Sequence, residues 1–182
     1  MDIYLVRHGE AAASWGQSAD PGLSELGQQQ AAQAATRLSA IVPEDLQLIS
    51  SPLARALETA QPLAQALGKP ITRNDAYREI PAPVPLAERQ TWLRQFMRER
   101  WQTQEPSLQQ WRERLYTQLL DLQHPTVVFT HFLVINAVVG QVQGREETLC
   151  FWPDNASVTQ LSLNDGVLEL VALGKELSTV VN

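Results

Sequence analysis

Short apolar runs of strand length, alternating with longer stretches of helical spacing, constrain what this chain can fold into more than any other feature. Residues 2–6, "LQLIS" at 46–50 and the strongly β-branched "TVVFTH" at 126–131 are such runs, each followed by a segment whose apolar residues recur every three or four positions. Repeated switching between the two periods favours an α/β domain over separate all-strand and all-helix halves. With 182 residues, 44% of them hydrophobic, the chain is long enough to bury the core of a single domain, 1–182.

The helical segments carry their own punctuation. Ser24 is placed to cap a helix that turns Leu26, Ala31, Ala35, Leu38 and Val42 inward and ends near Pro43. Ser51 and Pro52 read as a cap and a proline at the first helical position. The helix they open has Leu53, Ala56, Leu57, Ala60, Leu63, Ala64 and Leu67 on one face, a kink at Pro62 and a stop at Gly68. Composition changes from about residue 78: Pro81, Pro83 and Pro85 are followed by charged residues interleaved with Trp92, Leu93, Phe96, Met97 and Trp101. This predicts an insertion at about 80–106, a proline-braced loop and an amphipathic helix serving as a lid or wall. Its aromatic residues are expected in the core, and Arg89, Arg94, Arg98 and Arg100 on a solvated face. A further helix is expected over 107–122, another over 132–140 closed by Gly140, and a hairpin turning at Asp165-Gly166 between "SVTQLSL" and "VLELVAL".

Chemistry collects where the strands end. Arg7 and His8 close the first strand, Arg55 lies in the first turn of the helix after the second, and His131 ends the strand at 126–131. In open α/β sheets ligands gather beyond the carboxyl ends of the strands, so these distant residues can share one crevice. Two arginines and two histidines, with helix amino termini after Ser51 and His131, make an anion trap suited to the oxygens of a phosphoryl group. The competing reading makes Arg7 and His8 polar strand ends, Arg55 a surface charge and His131 a satisfied core histidine. His124, beside Pro125 at a turn, is expected in solvent, and a metal centre built from His8, His124 and His131 is not expected beside arginines that repel a cation. With a net charge of −6, a broad nucleic-acid or anionic-membrane surface is not expected, and no apolar run reaches bilayer length. A single cysteine, Cys150, and no signal-peptide pattern after Met1 point to a cytoplasmic protein.

The ordered set "RHGE" at 7–10, "DPGLSELGQQQA" at 20–31, "SSPLARALETA" at 50–60, "REI" at 78–80, "FTH" at 129–131 and "NASVTQL" at 155–161 resembles the histidine phosphatase superfamily, also called phosphoglycerate-mutase-like. The resemblance spans most of the chain. It implies a three-layer αβα sandwich whose mostly parallel sheet carries a C-terminal antiparallel hairpin. It also implies a phosphatase with no cofactor, acting through a phosphohistidine on His8. Arg7, Arg55 and His131 would hold the phosphoryl group, and Glu79 would serve as general acid and base. The backbone carbonyl of Gly9 would fix the His8 ring. Ser14 stands where relatives carry an asparagine phosphate ligand.

The chain also departs from the family pattern. Phe132 replaces the glycine that usually follows the second histidine and is expected to narrow the pocket. "PAPVP" replaces the sequence that usually follows the acid, which leaves Glu10 as an alternative donor. The expected substrate is a small phosphorylated metabolite. A phosphohistidine-protein phosphatase, and a phosphate-binding or scaffolding relative without turnover, are the alternatives; a phosphoglycerate mutase fits less well because "YREIPAP" is not the mutase run. Neither the physiological substrate nor the oligomeric state is legible.

Overall fold

Physical chemistry predicts helices on both faces of a sheet whose strands are apolar on both sides, and a computed structural model, which describes residues 1–13 and 18–177, has that form. Six strands run in the order β3-β2-β4-β1-β5-β6: β1 (Asp2–Arg7), β2 (Gln47–Ser50), β3 (Ile71–Arg73), β4 (Thr126–Thr130), β5 (Val158–Asn164) and β6 (Val167–Ala172). The first four are parallel, while β5 and β6 are antiparallel. Asp165 and Gly166, both at positive φ, make the tight turn between those last two. Side chains of β1 alternate between two cores. Ile3 and Leu5 pack with residues of α4 (Pro106–Leu120) and α5 (Phe132–Val142), whereas Tyr4 and Val6 pack with α1 (Glu25–Ser39) and α2 (Ala54–Leu67).

Ser24 caps α1 as expected, its hydroxyl accepting from Gly27 N–H at 3.0 Å. Leu26 does not turn inward: it is 48% exposed, and Gly27 takes the buried place beside it. Gly27 is required because a Cβ there would run into the Glu10 carbonyl, so α1 and the loop after β1 touch backbone to backbone. Ser51 is not the cap of α2. That helix starts three residues later, at Ala54, whose N–H donates to Asp20 Oδ1 at 2.8 Å from a distant loop. Pro62 lies within α2, which runs on to Leu67 and stops at Gly68 in the left-handed conformation. Gly140 does not end α5, which continues to Val142; a Cβ at Gly140 would stand 3.0 Å from Cys150 Sγ, so this glycine serves helix packing. The short edge strand β3 escaped sequence reading because three residues after a proline carry no measurable alternation.

Residues 80–106 form a 3₁₀ turn, α3 (Arg89–Phe96) and a second 3₁₀ turn at 101–103. Trp92 stacks on Phe96 at 5.0 Å, Phe96 meets Trp101 edge-on at 5.5 Å, and Trp101 stacks on Trp111 of α4 at 6.3 Å. Aromatic pairs of this kind contribute about 0.5–1.5 kcal/mol each beyond area burial, so the segment is stitched to the core along one continuous ladder.

Candidate active site

Register brings the strand ends together. Arg7 of β1 is paired with Thr130 of β4, and Ser50 of β2 with Phe129, so the residues following all three strands emerge side by side. His8 is 5% exposed. Its Nδ1 lies 2.7 Å from the Gly9 carbonyl, and its Nε2 lies 3.2 Å from Arg55 Nε. A carbonyl only accepts and a guanidinium only donates, so Nδ1 carries the proton and Nε2 holds the lone pair. Burial, reinforced by the charges of Arg55 and then Arg7, holds the imidazole down to about 3. At neutral pH this ring is uncharged, in one tautomer, with its lone pair toward Arg55.

The ring of His131 is 5.3 Å from that of His8 and fully buried. Burial and the neighbouring cationic groups keep His131 well below the usual imidazole range. Its Nε2 meets Ser51 Oγ at 2.8 Å. Arg7 sends one terminal nitrogen to the Pro153 carbonyl at 2.8 Å and lies over the Phe132 ring at 5.1 Å, and burial lowers it to about 10. Phe132 therefore does not narrow the cavity. It is 3% exposed, lies beneath Arg7 and packs against Trp152. Arg7 Nε and His131 Nδ1 are buried with no partner among the described residues.

Glu79 enters from the chain after β3. Thr130 Oγ1 donates to the Tyr77 carbonyl at 2.8 Å, which anchors that segment against the end of β4. The carboxylate reaches the start of α5, where Leu133 N–H lies 3.5 Å from Oε2, and Ile80 N–H donates to Oε1 at 2.9 Å. Burial raises its pKa; Ile80 N–H, the charges of Arg55 and Arg89, and Leu133 N–H act against that rise. Glu10 lies elsewhere. It is exposed and tied to the start of α1, with its carboxylate accepting from the Ser24 hydroxyl at 2.8 Å and its N–H donating to Gln30. Ser14 lies outside the described residues. His124 is exposed, as expected. No group of three or more metal-binding side chains occurs among the described residues.

A cavity of about 360 Å³ opens onto Arg55 and Glu79. Ser18, Ala19 and Pro21 line it from one segment, Leu86 and Arg89 from the 80–106 region, and Trp111 from α4. Two positioning groups were missed in the sequence. Thr59 Oγ1 donates to the Arg55 carbonyl at 2.6 Å and accepts from Gly9 N–H at 3.0 Å, so it ties the loop bearing His8 to α2. Its signal was a threonine one turn after Arg55. The chain at 153–157 clasps the other side: Arg7 N–H donates to the Ser157 carbonyl and Ala156 N–H to the His8 carbonyl, with Ala156 at positive φ.

A family model described as histidine phosphatase superfamily (branch 1) matches residues 3–176. The chain belongs to the histidine phosphatase superfamily. Curated relatives match part of it. A mannitol-1-phosphatase of Eimeria tenella is 43% identical over 86 residues, covering 40% of this chain and 28% of that protein. A probable phosphoglycerate mutase of Escherichia coli is 40% identical over 87 residues, covering 44% of this chain and 38% of its own length. The matches thus span well under half of those relatives. Over nearly the whole chain, the fold is that of a mycobacterial glucosyl-3-phosphoglycerate phosphatase solved with inorganic phosphate. The TM-score is 0.75 at 24% identity, with 96% of this chain and 97% of that one covered. The phosphoglycerate-mutase-like αβα fold is thereby established. No helix among the described residues is long and apolar enough to cross a membrane.

Proposed function

We propose that this histidine phosphatase hydrolyses small phosphomonoesters, needs no metal, and carries the phosphoryl group on His8 between two half-reactions. The observation that carries the reading is the His8 ring itself: one proton fixed on the Gly9 carbonyl, the other nitrogen unprotonated and facing Arg55. A weak nucleophile is made competent by holding it neutral and oriented, and both conditions are met in one buried group.

In the first half-reaction the Nε2 lone pair attacks phosphorus, a P–N bond forms, and the ester P–O bond breaks. Arg55 exchanges its bond to Nε2 for phosphoryl oxygens. Arg7 Nε and His131 Nδ1, two buried nitrogens at the site without partners among the described residues, complete the set of donors. In this scheme the Ser51 hydroxyl, 2.8 Å from His131 Nε2, gives its proton to that nitrogen while its oxygen accepts from Leu53 N–H at 3.3 Å, and the ring proton of His131 is on Nδ1. Guanidinium forks and the imidazole N–H of His131 spread over the equatorial oxygens lower the barrier by electrostatic stabilisation, the main contribution in phosphoryl transfer. Glu79, kept protonated to higher pH by burial, gives its proton to the leaving oxygen. In the second half-reaction Glu79 takes a proton from water, whose oxygen attacks phosphorus. The P–N bond breaks, and phosphate leaves with the His8 lone pair restored. Glu10, tied to α1, has no part in this scheme.

Residues 80–106 wall the substrate side within this single domain, and the setting we assign is cytoplasmic. The names of the relatives, a mannitol-1-phosphatase and a glucosyl-3-phosphoglycerate phosphatase, support a small phosphorylated metabolite as substrate rather than a phosphoprotein. Purified protein in chelator, offered p-nitrophenyl phosphate, a panel of phosphorylated metabolites and one phosphohistidine protein, tests the reading. Turnover of metabolite esters that His8→Ala abolishes is expected; equal rates from both proteins would overturn it.

A further inference from the structure

The wall segment leaves the nucleophile loop at 11–13 and returns to it at 18–23. Its base is closed by an antiparallel bridge between Ala11 and Leu23, with Ala12 N–H donating to the Gly22 carbonyl at 2.8 Å. It is fastened to α2 by two carboxylates, one on the segment and one on the helix. Asp20 Oδ1, on the segment, accepts from Ala54 N–H at 2.8 Å; Glu58 Oε2, on the helix, accepts from Leu23 N–H at 2.6 Å. Gly22 makes the second bond possible, since a Cβ there would meet Glu58 Oε1 at 2.7 Å. Both bonds land within the first turns of α2, on either side of Arg55 in sequence. Ser18, Ala19 and Pro21, which flank Asp20, are wall residues of the cavity onto which Arg55 opens.

We infer that Asp20 is a positioning residue for phosphate binding: by capping α2 from the opposite wall, it holds that wall and the first turn bearing Arg55 at the spacing a phosphoryl group needs. The inference rests on the reading of Arg55 as a phosphate ligand. Asp20 does not touch substrate; it acts through the Ala54 amide, one residue before Arg55. The α2 terminus is accordingly not the free anion seat that the sequence suggested, because a side chain of the protein already sits on it. Substrate anion must be met by side chains, since Glu79 sits at the start of α5 as Asp20 sits on that of α2. The wall is held through this hydrogen bond, so asparagine, which keeps an oxygen acceptor, replaces Asp20 and alanine does not.

Two measurements on wild type, Asp20→Ala and Asp20→Asn test this: amide hydrogen exchange across 18–23 and Ala54, and calorimetric titration with inorganic phosphate. In Asp20→Ala, exchange at those amides is expected to quicken about tenfold and the phosphate Kd to rise about threefold to tenfold, the range that loss of a helix cap implies. Asp20→Asn is expected to stay within about twofold of wild type in both. Unchanged exchange in Asp20→Ala, unchanged phosphate affinity despite faster exchange, or an asparagine variant as impaired as the alanine one would each overturn the inference. If the wild-type protein takes up no phosphate, the functional reading of the site falls instead, and the exchange measurement alone decides whether the clamp exists.

Discussion

Keeping His8 neutral inside the fold has a thermodynamic consequence that can be measured without any substrate. In the unfolded chain the imidazole titrates near its ordinary value of 6.5, whereas in the folded protein it is held down to about 3. Between those values the unfolded state binds a proton that the folded state refuses, so stability falls as the pH drops from about 7 toward 3. Linkage between 6.5 and about 3 gives a loss of about 2 kcal/mol between pH 8 and pH 5, or roughly thirtyfold in the folding equilibrium. Against a typical total of about 5–15 kcal/mol this is a large fraction. His8→Asn removes the titrating group. Urea unfolding followed by fluorescence of the five tryptophans, at pH 8 and pH 5 and constant ionic strength, gives the difference directly. His131 titrates in both proteins and cancels to first order. Wild type should lose about 2 kcal/mol more than His8→Asn over that interval. Equal losses in the two proteins would mean that the folded ring titrates normally, and the argument for a buried neutral nucleophile would fail.

Other consequences follow from neighbouring residues. Glu79→Ala should lower kcat/KM, which reports the first half-reaction alone, by about 10²–10⁴-fold for an alkyl phosphate and far less for p-nitrophenyl phosphate, because a phenolate leaves without a proton. In wild type the rate with the alkyl ester should decline on the alkaline side as Glu79 deprotonates, and the pH profile of the variant should lack that limb; similar losses on both esters would exclude Glu79 as the acid. Gly27→Ala, on α1, should displace the loop from His8 to Glu10, because the added methyl runs into the Glu10 carbonyl. A stability loss of about 1–3 kcal/mol in urea is expected, with kcat/KM falling at least about tenfold. A fully active variant would show that the loop is not held by α1.

The sequence was most legible where local and global preferences agree. β1, β2 and β4 are apolar on both faces because helices cover both, so their runs announced themselves, and the turn at Asp165-Gly166 was readable from its backbone requirement alone. Strand-end placement then sufficed to bring Arg7, His8, Arg55 and His131 into one cluster. What was not legible depends on contacts far apart in the chain. Ser51 reads as a helix cap locally, yet its hydroxyl is engaged by His131, and the cap is Asp20, thirty-four positions from Ala54. Gly140 reads as a stop, but the bulk of Cys150 against the helix explains it better. Leu26 satisfies a helical period that packing did not use, because Gly27 had to approach the Glu10 backbone. Phe132 looked like an obstruction because nothing in a sequence shows which cation an aromatic ring will underlie.

The central claim is that a phosphoryl group passes through Nε2 of His8. Rapid quenching of protein mixed with ³²P-labelled substrate, followed by proteolysis under alkaline conditions and mass spectrometry, tests it directly. The account predicts acid-labile, base-stable label on the peptide holding residues 7–10, and none in His8→Ala. Label on any other residue, or turnover at the wild-type rate in His8→Ala, would contradict it.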